Sequence, residues 1–163
     1  MLATLRALLT TAGLLTGYYL LPIDRPFTPL TFVGLGLGLV GVILLLVWQT
    51  RAIMLSDHPR LRAAEALSST ATLFLLLFST VYFLMERTDP GSFSEPLSRT
   101  DALYFTVTVF STVGFGDITA KTEVARVLTM GQMVGDLLLI GVAARIVVAA
   151  MQRGLERKGR ERP

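Results

Sequence analysis

Long apolar stretches separated by short polar ones dominate the pattern of this chain. Each of the last three stretches is about as long as the ~20 residues that a helix needs to cross a bilayer. We therefore predict an all-α membrane protein with four transmembrane helices. The stretches run from about Ala7 to Leu21, Leu30 to Trp48, Ala66 to Met85 and Val124 to Met151.

The first stretch is the shortest and follows Arg6, so a signal peptide is the alternative to a retained span. No small-x-small cleavage site occurs near its end, and Tyr18 and Tyr19 suit an interfacial position. We predict a retained span, which forms an N-terminal transmembrane hairpin over residues 1–50 together with the second stretch.

The second stretch contains a formal dinucleotide-binding pattern, G-x-G-x-x-G from Gly36 to Gly41. That motif requires a preceding strand in a βαβ unit, whereas here it lies inside an apolar run. Gly34 and Gly38 instead predict a small-residue face for helix packing. Leu30 to Trp48 contains no arginine, so we predict no voltage sensor.

A shorter apolar segment, Asp101 to Ser111, lies between the third and fourth stretches. Ser98 and Asp101 predict a capping box at its start, with Asp in place of Glu. The helix is too short to span and must end inside the bilayer. Irregular backbone at that depth is tolerated only where it is buried in protein or lines a water-filled cavity. We predict a re-entrant pore helix followed by a filter loop.

Composition agrees with a membrane protein and excludes several kinds of site. The chain is 52% hydrophobic and only 17% charged, with a mean hydropathy of +0.61, whereas soluble domains carry about 25% charged residues. It has no cysteine and one histidine, His58, which leaves no thiolate metal site and no Cys/His or Ser/His/Asp arrangement. We predict that the protein is not an enzyme and needs no cofactor.

The distribution of charge predicts the topology. With four spans, the basic linker 51–65 and the basic tail 152–163 lie on the same side as the amino terminus. The positive-inside rule makes this side cytoplasmic. We predict a multi-pass protein of the plasma (inner) membrane with both termini cytoplasmic. Its tail is predicted to meet anionic lipid headgroups rather than nucleic acid.

The stretch that follows the short helix carries the candidate chemistry. In cation filters, backbone carbonyls replace the water that an ion sheds, so successive carbonyls must point the same way. Gly114 and Gly116 reach positive φ without steric cost. A glycine turn between two apolar helices is the alternative interpretation. The predicted coordinating residues are Thr112, Val113, Gly114, Phe115 and Gly116, with Asp117 at the outer mouth.

This stretch closely resembles the signature of the potassium-channel family, with Phe115 where tyrosine is commoner. Residues 66–151 resemble the family's pore domain, which consists of an outer helix, a pore helix, a filter and an inner helix. The resemblance implies a homotetrameric pore with the filter on its axis and selectivity for potassium, the permeant ion. The implied potassium sites lie at Thr112, Val113, Gly114 and Phe115.

The resemblance also implies supporting residues. Tyr104 and Phe105 fall where many relatives carry aromatics that brace the filter, and Thr108 stands where some bacterial members have a glutamate. The predicted function is a passive potassium-selective channel. The alternatives are a non-selective monovalent cation channel, given Phe115 and the absent glutamate, and a non-conducting membrane regulatory subunit.

Two charges inside the last stretch are the remaining candidates, because an intramembrane charge is a functional-site hypothesis by default. Asp136 shares a helix face with Gln132 and lies about 180° from Arg145. One hypothesis places Asp136 in the cavity below Thr112, where four carboxylates concentrate cations. The other turns it away, bonded to a pore-helix hydroxyl or a neighbouring subunit's Arg145. Gln132, Asp136 and Arg145 are therefore candidates for residues of the cavity or the gate.

Overall fold

The described part of the chain is mainly helical in this computed structural model. It comprises residues 2–20, 33–34, 36–38, 40–42, 44 and 59–160. No strand occurs among these residues. They contain an isolated antiparallel β-bridge between Phe93 and Ala120. The predicted all-α class is therefore confirmed. The continuous helices are α1 (Leu2–Leu20), α2 (Pro59–Thr88), α3 (Arg99–Phe110) and α4 (Glu123–Arg160).

Two of the described helices are long and apolar enough to cross a membrane, over Ala64–Thr88 and Glu123–Arg145. They correspond to the predicted third and fourth spans. The predicted first span corresponds to α1, whereas most of the second, Leu30 to Trp48, lies outside the described residues. Two spans are thus supported by the structure, and four spans stay a prediction.

Two helices are longer than predicted from the apolar stretches. Helix α2 begins at Pro59 rather than Ala66, because proline suits the first helical position and residues 60–64 are good helix formers. The last part of the predicted linker is therefore helical, and residues 51–58 lie outside the described residues. Helix α4 continues to Arg160, since no proline interrupts it and Arg, Glu, Lys and Leu favour helix.

An aromatic cluster joins α3, and the loop that precedes it (residues 89–98), to α2. The rings of Tyr82, Phe93 and Phe105 meet pairwise edge to face, with centroids 5.3–5.5 Å apart. Such pairs add to the stability gained by burying the rings. Phe74 and Phe78 extend the cluster along α2, eight and four residues before Tyr82. The cluster fixes the position of α3 against α2.

Two glycines allow close helix packing. A Cβ on Gly135 of α4 would lie 2.7 Å from the Phe74 ring of α2. A Cβ on Gly38 would lie 2.9 Å from Leu77, also on α2, whereas one on Gly34 would meet nothing within 4 Å. Of the two glycines in the predicted packing face, the structure places Gly38 against a neighbouring helix.

The loop between α2 and α3 is folded onto the end of α2 by Glu86. This carboxylate is buried and accepts hydrogen bonds from the backbone N–H groups of Gly91 and Phe93, each at 3.0 Å. The bonds satisfy a buried charge. They also hold Phe93 where it pairs with Ala120, beyond the filter stretch.

Candidate functional site

Helix α3 delivers the candidate filter stretch from its carboxyl end. The predicted capping box is confirmed: Asp101 N–H donates to Ser98 Oγ at 3.2 Å, and Ser98 N–H donates to Asp101 Oδ2 at 2.9 Å. The helix begins at Arg99 and ends at Phe110 and so has twelve residues. Its length of about 18 Å does not cross a bilayer.

Along the backbone after α3, residues with positive φ alternate with residues without it. Thr112, Gly114 and Gly116 have φ of +58°, +53° and +79°, and the residues between them do not have positive φ. In an ordinary strand successive carbonyls point to opposite sides, whereas alternation between left- and right-handed residues turns them to one side. Thr112 is a β-branched residue at positive φ, a strained conformation typical of functional sites.

Sequence patterns pointed to positive φ at the two glycines and missed it at Thr112. No residue-type signal identifies it, since threonine disfavours this conformation. What marks Thr112 is its place in the alternation, two residues before Gly114.

The first three amides of the stretch donate hydrogen bonds to carbonyls of α3. Thr112 N–H donates to Val109 O at 3.0 Å, and the N–H groups of Val113 and Gly114 donate to Thr108 O at 3.1 and 3.2 Å. Within the described residues, no hydrogen bond uses the carbonyls of residues 112–116, and these residues are exposed in the single subunit. The carbonyl oxygens are therefore free to coordinate a cation.

Tyr104 holds the outer end of the stretch. Its hydroxyl donates to Asp117 Oδ2 at 2.7 Å, and its ring is parallel to that of Phe115, with centroids 6.4 Å apart. Ile118 N–H donates to Asp117 Oδ1 at 2.9 Å. The hydrogen bond from Tyr104, followed by that from Ile118, lowers the pKa of the Asp117 carboxyl below its usual 3.8.

The other two support candidates act differently from Tyr104. Phe105 is buried in the aromatic cluster with Tyr82 and Phe93. The Thr108 hydroxyl donates to Phe105 O at 2.8 Å, so it does not reach Asp117. Thr108 supports the stretch through its backbone carbonyl, which any residue type supplies.

Ser94 is a supporting residue that the sequence did not indicate. Its hydroxyl donates to Asp117 O at 3.1 Å and accepts from Thr119 N–H at 2.9 Å. Its own N–H donates to Thr119 O at 2.9 Å. These bonds fasten the segment after the filter to the loop before α3. A serine in a turn-rich loop carries no signal for such a partner 23 residues away.

Gln132 and Asp136 lie inside the subunit. Gln132 accepts from the Tyr82 hydroxyl at 2.8 Å and donates to Thr106 O at 3.0 Å and to Asp136 Oδ2 at 3.2 Å. Asp136 is 3% exposed in the single subunit. Because assembly only buries surface, the cavity hypothesis does not agree with this placement.

The alternative in which Asp136 is turned away from the cavity agrees with its burial. Within the described residues, Asp136 Oδ2 is bonded to Gln132 on the same helix rather than to a pore-helix hydroxyl, and Oδ1 has no hydrogen-bond partner. A bond to a neighbouring subunit's Arg145 stays a prediction. Helical periodicity put Gln132 and Asp136 on one face; only the packing of α4 against α2 and α3 decides where that face points. Arg145 is exposed at the end of the candidate span Glu123–Arg145.

The chemistry available at this site is coordination by backbone oxygen. No group of three or more His, Cys, Asp or Glu side chains that could hold a metal occurs among the described residues. Hard monovalent cations are the ligands that rings of carbonyl dipoles accept in protein filters.

Comparison with known proteins agrees with this geometry. The model of a protein family described as "Ion channel" matches residues 70–153, just over half of the chain, from within α2 to the last part of α4. Neither the curated proteins nor the solved structures give a significant match. Together with two membrane-length apolar helices, the family match identifies a membrane protein with ion-channel activity. The chain belongs to the ion-channel family, as a member with a potassium-channel pore domain.

Proposed function

We propose that this chain forms a passive, potassium-selective channel in which four copies surround one pore. The alternating backbone of residues 112–116 carries this proposal. The amides of Thr112, Val113 and Gly114 are bonded to α3, and the carbonyls of the stretch have no partner in the described chain. This is the arrangement that replaces the hydration shell of an ion.

Assembly is proposed because the single subunit leaves its filter and inner helix uncovered. Val113 and Phe115 are 54% and 71% exposed. In the apolar span Glu123–Arg145, only 22% of the most hydrophobic part is buried. An apolar surface of this extent requires lipid or other subunits. A carbonyl ring around an ion needs several chains, and the family resemblance implies four.

The carboxyl end of α3 adds a favourable field. The last carbonyls of a helix carry a partial negative charge, which favours a nearby cation. Thr108 O, in this last turn, accepts from the amides of Val113 and Gly114. Four such ends and the carbonyl oxygens offset part of the cost of removing water from the ion. The proposed channel lies in the plasma membrane with both termini cytoplasmic and Asp117 facing outside.

Ion flux through purified protein in liposomes tests this function. We expect potassium flux that barium blocks and that sodium does not replace. Flux of both ions would establish the non-selective channel instead. A folded, membrane-inserted tetramer without flux in any condition would favour the regulatory subunit. Crosslinking of the same sample gives the number of subunits.

The bond between Tyr104 and Asp117 predicts an acid sensitivity. Because the pKa of Asp117 is lowered in the folded state, the bond's contribution is fully present above pH 3.8 and is lost as the pH falls through the lower pKa. Tyr104→Phe keeps the ring against Phe115 but removes the main cause of this lowering. We expect the acid midpoint of filter stability to move upward in this variant, towards 3.8.

Flux measured against external pH reads this midpoint. Asp101→Asn serves as a control, because Asp101 is an outer carboxylate that binds the start of α3 and not the filter. An unchanged midpoint in Tyr104→Phe would show that the Tyr104–Asp117 bond does not support the conducting filter.

A further inference from the structure

The carboxyl end of α1 is bonded to the first residue of α3. The Arg99 guanidinium donates from Nη1 to Tyr18 O at 2.8 Å and to Tyr19 O at 2.9 Å. The last four carbonyls of a helix lack intrahelical partners, and the helix dipole favours a cation there. Arg99 therefore caps α1 although it belongs to the pore helix.

Tyr18 joins three helices at the same point. Its hydroxyl lies 2.6 Å from Ser79 Oγ of α2 and donates to Arg99 O of α3 at 2.8 Å. Tyr18 is 4% exposed and Ser79 is fully buried. A buried hydroxyl with two partners resists displacement, because breaking either bond leaves a polar group unpaired.

Further contacts restrict Arg99. Its guanidinium lies over the Phe83 ring of α2, 5.5 Å from the centroid, a favourable cation–π distance. The Tyr19 hydroxyl lies 3.1 Å from Thr100 Oγ1, and this bond is exposed. The junction thus has a more buried side, where Tyr18 bonds to Ser79 and to the partly buried Arg99, and an exposed side, where Tyr19 bonds to Thr100 and its carbonyl to Arg99.

Helix α3 connects this junction to the filter. It is one continuous helix from Arg99 to Phe110. Its far end holds the filter amides through Thr108 O, and Tyr104 in its middle holds Asp117. A helix of this length moves as a rigid element, so a shift at Arg99 displaces both filter supports together.

We propose that Arg99 and Tyr18 are positioning residues for the filter, and that α1 is the element against which they set the pore helix. This assigns to the N-terminal helix a part in conduction, although it lies outside residues 70–153 that match the ion-channel family. The proposal rests on the proposed channel function for its consequence on ion flow. Its structural part, that α1 holds the filter in place, is measurable without flux.

Hydrogen exchange of the intact protein tests the structural part. In the peptide that covers residues 112–116, the amides of Val113 and Gly114 report whether the filter stays bonded to Thr108. We expect Arg99→Gln and Tyr18→Phe to speed exchange in this peptide by about tenfold, the effect of weakening a charge-assisted or buried hydrogen bond. Arg99→Lys keeps the cation and a donor and should restore most of the protection.

Tyr19→Phe is the matched control, because it removes the adjacent, exposed hydroxyl and leaves the more buried side of the junction intact. It should leave filter exchange unchanged. Unaltered filter exchange in both Arg99→Gln and Tyr18→Phe, with faster exchange confined to α1, would overturn the proposal. Tyr18→Phe keeps the ring and most of the volume, so it serves as the disrupting variant if Arg99→Gln does not fold.

Flux on the same variants separates this proposal from the proposed function. We expect the potassium-to-sodium permeability ratio to fall by about threefold or more in Tyr18→Phe and to stay unchanged in Tyr19→Phe. The threefold fall corresponds to losing part of the free energy that one buried hydrogen bond contributes. Absence of flux in the unmodified protein would remove the channel function while the exchange result still decides the role of Arg99. If flux is normal in the unmodified protein and in the variants, and the variants show faster filter exchange but unchanged selectivity, the proposed part of α1 in conduction is overturned and α1 has a stabilising role only.

Discussion

We expect alanine at Gly114 to abolish selective potassium flux. Gly114 has φ of +53° and nothing within 4 Å of a Cβ position, so the substitution acts through the backbone alone. Left-handed backbone costs a residue with a Cβ about 1–2 kcal/mol, and every subunit carries the change. Relief of this strain turns a carbonyl away from the pore. We expect selective potassium flux to fall at least about tenfold, since 1.4 kcal/mol corresponds to a factor of ten.

Gly91→Ala provides a matched control. Gly91 has φ of +96° and open space around its Cβ position, but it lies in the loop before α3. The strain is similar and the N–H bond to Glu86 is retained. This variant should lower thermal stability and keep the potassium-to-sodium permeability ratio. Selectivity that survives in Gly114→Ala, or is lost equally in both variants, would contradict the role of the alternating backbone.

The second large effect is expected at Gln132, which links α4 to α2 and α3. Gln132→Met keeps the length of the side chain and removes its bonds to Tyr82, Thr106 and Asp136. The Tyr82 hydroxyl and the Asp136 carboxyl are then buried without these partners. Unpaired buried polar groups cost about 1–3 kcal/mol each, although hydrogen bonds between membrane helices average about 0.6 kcal/mol. We expect about 2–4 kcal/mol of lost stability per subunit.

Thermal or denaturant unfolding of the assembled protein measures this loss. Thr80→Val is the control, because it replaces a polar group of α2 whose hydroxyl bonds to its own helix, at Leu76 O. It should cost well below 1 kcal/mol, as for other local side-chain bonds. Tyr82→Phe and Asp136→Leu in the Gln132→Met protein should recover stability by removing the unpaired groups. A loss no larger than that of Thr80→Val would contradict the linking role.

Asp136 shows where prediction from the sequence stops. The spacing of Gln132 and Asp136 predicted a shared helix face, and the structure has that face. The direction of the face depends on which neighbours α4 packs against. The ring of Phe74 close to Gly135 and the Tyr82 hydroxyl fix that direction, and neither contact has a local sequence pattern.

The filter stretch was predictable to a different extent. Glycine is the residue that adopts positive φ at little cost, so Gly114 and Gly116 marked the loop directly. The capping box at Ser98 and Asp101 marked the start of α3 for a similar reason, because both of its bonds are local. Phe105, predicted as a brace, instead packs in the aromatic cluster, since rings next to each other in a helix point about 100° apart.

The sequence by itself determined the helical class, the third and fourth apolar spans, the short helix with its cap, and the glycine spacing of the filter. These features depend on local backbone preferences and on the period of apolar residues, which a single chain displays directly. The tertiary structure alone decided the bonds of Glu86, Ser94 and Gln132 and the junction of Tyr18 with Arg99. Their partners are brought together by helix packing across long separations, up to 81 residues for Tyr18 and Arg99, and no local pattern encodes such pairs.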